Sequence, residues 1–159
     1  MKTFTTLGLM SGTSGDGLDL ACCTFKKEEG QNWSYRILAS KTLPFPKKLG
    51  EKLPQAHTLE AEALFLLDRE LGAWMGEAVA AFCAENKLKP SLIASHGHTV
   101  FHRPDAGISI QIGNPWALYA ASGIPVYADF RTLDVQLGGQ GAPLVPIGDA
   151  SCSAPSMPA

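Results

Sequence analysis

Residues 8–17 read Gly8-Leu9-Met10-Ser11-Gly12-Thr13-Ser14-Gly15-Asp16-Gly17, glycines interleaved with hydroxyls and a carboxylate. Glycine permits tight turns and lets backbone N–H groups approach a ligand closely. Hydroxyls donate to phosphate oxygens, and a carboxylate in the position of Asp16 can hold a water of a bound Mg2+ ion. Gly12, Thr13, Ser14, Gly15, Asp16 and Gly17 therefore form a candidate phosphate turn, with Asp16 the candidate metal residue. The run has no Lys and no helix-like segment follows it, so it is neither the Gly-Lys-Ser/Thr loop nor the dinucleotide fingerprint. The same composition also serves a hairpin turn without a ligand.

A second stretch carries His96, Gly97, His98, Thr99 and His102, with Arg103 and Pro104 behind them. Three histidines invite a zinc reading with Asp129 or Asp134 as a further ligand, but their spacing matches no established metal pattern. A polar turn after a short apolar strand is where open sheets place ligand contacts, and a purely structural turn fits as well. A third stretch sets Asp129, Arg131 and Asp134 just before Gly138-Gly139-Gln140-Gly141. A carboxylate within hydrogen-bond reach can take the proton from an attacking oxygen, and Arg can grip an anionic group through paired donors. Two acids five residues apart, followed by glycines, suit phosphoryl or glycosidic chemistry, or else a salt-bridged surface loop.

The elements that would position these residues follow from periodicity and punctuation. Residues 4–10, 17–26 and 33–43 read as three strands in meander order, with a turn around Gly30 and Asn32 and an end at Pro44 and Pro46. From residue 58 to 86, Leu59, Ala63, Leu66, Leu67, Leu71, Trp74, Met75, Ala78, Val79 and Phe82 recur at helical spacing. Thr58 is the expected cap, and Gly72 and Gly76 allow a bend or close packing. Short strands are expected at 91–95, 109–112 and 124–127. Asn114 and Pro115 should open a helix that Gly123 closes. Residues 128–141 read as a long polar connection. The layout is an α/β sheet covered by helices.

With 159 residues, 45% of them apolar, the chain can form one substantial core. Its net charge of −2 and lack of a Lys/Arg run argue against a nucleic-acid partner. The first residues lack a signal-like apolar region, and no membrane span is expected, so the sequence predicts a cytoplasmic protein. Cys22, Cys23, Cys83 and Cys152 lack zinc-ligand spacing and are expected to be free thiols.

Residues 8–19, 95–104, 111–115 and 128–146, in this order, resemble the anhydro-N-acetylmuramic acid kinase family, bacterial sugar kinases of the actin and hexokinase-like ATPase superfamily. The resemblance implies a ribonuclease H-like/actin-like ATPase N-terminal lobe, a mixed sheet with flanking helices. It covers residues 1–149, an incomplete lobe relative to the family, and leaves residues 150–159 as a disordered tail outside the family pattern. It implies ATP and Mg2+ as cofactors and 1,6-anhydro-N-acetylmuramic acid as substrate, converted to N-acetylmuramic acid 6-phosphate in peptidoglycan recycling. By position, Gly12 to Gly17 look like the phosphate-binding turn with Asp16 near magnesium. Asp134 looks like the base that activates water, with Asp129 second. His96, Gly97, His98, Thr99 and Arg131 look like substrate contacts. Family members resemble homodimers, and the superfamily holds adenosine largely with a second lobe. A truncated product with little or no turnover is therefore expected. Another sugar kinase of the superfamily, or a non-catalytic binding lobe, is the alternative.

Overall fold

The computed structural model describes residues 2–12, 17–30 and 32–153. Thr13, Ser14, Gly15 and Asp16, the middle of the expected phosphate turn, lie outside the described residues, as do residues 154–159. Strand β1 (Lys2–Ser11) pairs antiparallel with β2 (Leu18–Lys27), and β2 with β3 (Trp33–Leu43), giving the expected meander. Short helix α1 (Lys47–Lys52) and a 3-10 turn (Leu53–Thr58) lead into the long helix α2 (Ala61–Asn86). Strand β4 (Leu92–Arg103) runs parallel to β1, and its far half pairs antiparallel with β5 (Ile108–Ile112). Helix α3 (Pro115–Ser122) returns the chain to β6 (Val126–Tyr127), parallel to β4. Helices α4 (Thr132–Gln136) and α5 (Val145–Ser151) and the two-residue strand β7 (Cys152–Ser153), beside Trp33 and Ser34, complete the described chain. The sheet order is β5-β4-β1-β2-β3-β7, with β6 on β4.

Alternation dictates which face is covered. Leu7 and Leu9 of β1, Leu18, Leu20 and Cys22 of β2, and Ile93 of β4 are buried in one cluster with Leu67, Leu71, Met75, Val79 and Phe82 of α2. Each such aliphatic or aromatic side chain stabilises the fold by about 1.5–3 kcal/mol. The opposite face carries Phe4 and Met10, both exposed. Trp74, Met75 and Phe82 are core residues as expected, with the Trp74 ring 5.3 Å from that of Phe45. Leu66, expected in the core from its spacing, is 60% exposed.

Gly72 and Gly76 resolve into close packing rather than a bend. A Cβ on Gly76 would stand 2.6 Å from the Cβ of Ala121, and one on Gly72 would stand 2.7 Å from the backbone nitrogen of Asn114. The two glycines let α3 lie directly on α2.

Several expectations differ from the structure. Thr58 does not cap α2: its hydroxyl donates to the Gln55 carbonyl and closes the 3-10 turn, while Glu60 occupies the cap position. The stretch 96–103 is not a turn after a short strand, because β5 pairs with it and extends β4 to Arg103. The expected disordered tail starts at Ala150, but α5 carries Ala150 and Ser151 and β7 carries Cys152 and Ser153; the rest of the expected tail lies outside the described residues. All four cysteines are free. Burial, with Cys83 and Cys23 nearby, pushes the Cys22 thiol up to about 11. Among the described residues no helix is long and apolar enough to cross a membrane.

Candidate functional site

Strand β4 changes partners at a bulge. Leu9 of β1 faces Ser95 and Ser11 faces His98, so β4 carries one residue more than β1 across this interval. Gly97, at φ 73°, makes the kink, and a Cβ there would stand 2.6 Å from the Ile112 carbonyl oxygen. The bulge sends His96 and His98 to different places.

His96 meets the third sequence block. Its Nδ1 lies 3.0 Å from the Gly97 carbonyl oxygen, which can only accept, so Nδ1 carries the proton. The free lone pair on Nε2 then accepts from Arg131 Nε at 3.1 Å and Nη2 at 2.7 Å. Burial lowers the pKa of His96, the Gly97 carbonyl opposes this, and the Arg131 charge adds to the lowering. The ring is neutral and serves as an acceptor.

His98 turns inward. It is 6% exposed, and its Nδ1 lies 3.0 Å from Oγ of the still more deeply buried Ser11. Burial lowers its pKa, the neighbouring His96 adds to this, and the Leu53 backbone opposes it. His102 takes a third direction, with Nδ1 3.0 Å from Ser109 Oγ. The three histidines therefore share no centre, and among the described residues no group of three or more His, Cys, Asp or Glu could hold a metal.

The folded state disfavours charge on His96 and His98, whereas unfolding restores their ordinary pKa of 6.5. As pH falls through 6.5 the unfolded chain takes up protons that the folded chain refuses, so stability is fully present above 6.5 and is lost below it. The melting temperature should decline from pH 7.5 to pH 5, less steeply in H96Q/H98Q than in the wild type. Equal slopes for the two proteins would refute the assignment.

A cleft of about 170 Å3 opens beside the bulge, lined by His96 and Gly97 of β4, residues of β5, Asp68 of α2, and Asp129 and Thr132. Of the residues expected from sequence, His96, Gly97 and Asp129 line it. Arg131 reaches it through His96. Thr99 does not line it, although Gln111, its partner in the β4–β5 ladder, does. Asp129 sits at φ 57°, and its carboxylate accepts from the Thr132 N–H at 3.2 Å, which starts α4. Asp134, on α4, is not among the lining residues: its carboxylate accepts from the Gly141 N–H at 2.7 Å, and its carbonyl accepts from Gly139 N–H at 2.8 Å. The glycine block 138–141 is thus wrapped around the Asp134 carboxylate. Gly12 and Gly17 stand at the facing ends of β1 and β2, where a Cβ on Gly17 would collide with the Leu43 carbonyl.

Sequence reasoning missed Asp68. Its carboxylate accepts from Gly113 N–H and from Asn114 Nδ2, both at 2.8 Å, while Asn114 Oδ1 caps α3 through the Trp116 and Ala117 amides. Asp68 sits in a helical run that reads as ordinary amphipathic sequence, and only its clash with the half-buried α2–α3 seam marks it. D68N would set two amide NH2 groups against each other and should cost about 1–3 kcal/mol. D68N/N114D restores a donor for every acceptor and should recover most of the lost melting temperature. A double variant no more stable than D68N would refute this pairing.

The family model for anhydro-N-acetylmuramic acid kinase matches residues 4–156. The chain belongs to the anhydro-N-acetylmuramic acid kinase family. A Pseudomonas putida anhydro-N-acetylmuramic acid kinase is 42% identical over 146 residues, covering 88% of this chain and 39% of the relative. A Rhodopseudomonas palustris anhydro-N-acetylmuramic acid kinase is 41% identical over 155 residues, covering 90% of this chain and 41% of the relative. The chain thus spans about two-fifths of the length of the curated kinases it matches, and the family match runs past the expected boundary at Asp149. A Thermus thermophilus RuvC structure aligns with 98% of this chain and 84% of its own at 15% identity and a TM-score of 0.42, too loose a likeness to assign a fold.

Proposed function

We propose that the chain is the phosphate- and sugar-binding lobe of a kinase that opens 1,6-anhydro-N-acetylmuramic acid and phosphorylates its O6. The observation that carries this reading is the Arg131–His96 contact, which draws blocks 95–104 and 128–146 to one cleft. Family membership supplies the reaction class. The strand order β3-β2-β1-β4-β6, with β1, β4 and β6 parallel and β2 antiparallel to β1, supports an actin/hexokinase-like ATPase lobe.

In the proposed reaction water attacks the anomeric carbon and the C1–O6 bond breaks. Asp134 takes the proton from water as O6 takes the γ-phosphoryl group, and the bond from γ-phosphorus to the departing ADP oxygen breaks. Gly141 occupies one lone-pair site of the Asp134 carboxylate, and an ionised carboxylate has about four, so it can still receive a proton while held. Asp129, which lines the cleft, is the second candidate base. His96, Gly97 and Arg131 bind the sugar, with His98 and Thr99 in the same stretch; Gly12, Thr13, Ser14, Gly15, Asp16 and Gly17 bind the nucleotide phosphates. In kinases Mg2+ is held by the nucleotide's phosphates and one or two carboxylates, and it neutralises charge on the transferring group; Asp16 is the proposed carboxylate. We further propose a cytoplasmic homodimer, and little or no turnover by these 159 residues alone, because the superfamily's grip on adenosine belongs to its second lobe.

The test is ATP-dependent formation of N-acetylmuramic acid 6-phosphate by the purified protein, beside D134N and D129N. Product lost only with D134N supports the assignment, and product lost only with D129N transfers the base to Asp129. Product from none of the three is what the incomplete lobe itself predicts; a second reading, a non-catalytic binding lobe, is favoured if no product forms when a relative's second lobe is supplied in trans.

A further inference from the structure

Ser11 ends β1 and is followed at once by Gly12, the first residue of the proposed phosphate turn. Its hydroxyl is buried, and its hydrogen-bond partner is a buried ring on another strand: His98 Nδ1, at 3.0 Å. The 3-10 turn between α1 and α2 packs against β4, and the Leu53 backbone there counters the lowering of the His98 pKa, as a carbonyl facing the ring does. The bulge at residues 96–97 gives His98 this direction; without the extra residue, its side chain would stand on the opposite face of the sheet.

An arrangement in which Nδ1 accepts from the Ser11 hydroxyl leaves the ring hydrogen on Nε2, for which the Leu53 carbonyl is an acceptor. In the chain Ser11 O–H to Nδ1, then Nε2–H toward Leu53, each donor would face an acceptor in a buried setting. Such a network is directional and resists rearrangement, because any break leaves a buried polar group without a partner.

We propose that His98 is a positioning residue for the start of the phosphate turn, acting through Ser11: as the Nε2–H tautomer it ties the end of β1 to the 3-10 turn and fixes where the backbone enters Gly12. His98 then makes no sugar contact. Its purpose rests on the reading of residues 12–17 as a phosphate turn, whereas the bridge itself does not.

Two variants separate a directional bridge from a space-filling one. Gln can accept from Ser11 and donate to Leu53, whereas Leu fills the volume and does neither. In H98L, hydrogen exchange at the Gly12 and Leu18 amides should rise about tenfold relative to Met75 and Val79 in α2, which report global unfolding. In H98Q it should stay within about twofold of the wild type. Nitrogen-15 spectra of the wild-type ring at neutral pH should show hydrogen on Nε2 and none on Nδ1. Hydrogen on Nδ1, equal acceleration at α2 and at Gly12 in H98L, or failure of H98Q to restore protection would each overturn the proposal. If H98L does not fold, the ring spectrum and H98Q still decide it. ADP with Mg2+ titrated into the wild type tests the other reading separately: unmoved Gly12 and Gly17 amides remove the phosphate turn, while the exchange data judge His98.

Discussion

D134N is expected to reduce ATP-dependent 6-phosphate formation by about 10²–10⁴-fold, the usual contribution of a positioned general base, while leaving the melting temperature nearly unchanged. The asymmetry follows from how Asp134 is held. Its carboxylate accepts from Gly141 N–H, and the amide oxygen of Asn can accept the same bond. What Asn loses is the ability to take a proton. D134A should lose both: turnover falls as far, and the amides of Gly139 and Gly141 exchange faster because the glycine block has lost the group it wraps. Where turnover of the wild type is too slow to follow, the contrast between Asn and Ala in amide exchange at Gly141 still tests the placement. Equal exchange in the two variants would remove Asp134 as the centre of the 138–141 turn.

The second large effect lies at the α2–α3 seam. G76V is expected to destabilise the fold by about 1–3 kcal/mol through overpacking, a drop in melting temperature of roughly 2–12 °C for a chain of this size. The first added carbon already stands 2.6 Å from Ala121 Cβ and 2.7 Å from the Leu118 carbonyl oxygen, which belongs to the α3 backbone and cannot swing away. G72A acts on the same seam nearer the cleft, since its methyl group meets the backbone of Asn114. It should displace Asn114 from Asp68 and weaken the α3 cap despite the better helix propensity of Ala, worth about 1 kcal/mol. Thermal melts of both variants, compared with G30A, where a Cβ meets nothing within 4 Å, check the prediction. G30A itself carries only the strain of its φ of 77°.

The sequence was most legible where local chemistry and tertiary structure agree. The meander of β1, β2 and β3, the body of α2, and the Asn114–Pro115 start and Gly123 stop of α3 could all be read from spacing and capping residues. The site was legible in part. His96 and Gly97 line one cleft and Arg131 joins it through His96, but spacing could not reveal that Arg131 donates to His96 rather than projecting freely. Nor could it reveal Asp68, whose partners stand 45 and 46 residues away. Residues 96–103 read as a turn because they are polar and contain glycine. They form a strand because β5, a later segment, supplies the ladder. Leu66 matched the helical period yet faces outward, since the period alone does not fix how wide the covered stripe is.

The bulge at residues 96–97 carries a consequence for how the gene can change length. Upstream of it, β4 is registered against β1 and β6; downstream, against Ser11 at the end of β1 and against β5. Deleting one codon there would leave every hydrogen-bonded pair available, yet it would invert every side chain from His98 to Arg103. His98 would leave Ser11, and His102 would leave Ser109. Single-codon insertions at the turn near Gly30 should be tolerated in a library selected for folding, whereas single-codon deletions at residues 96–97 should be absent from it.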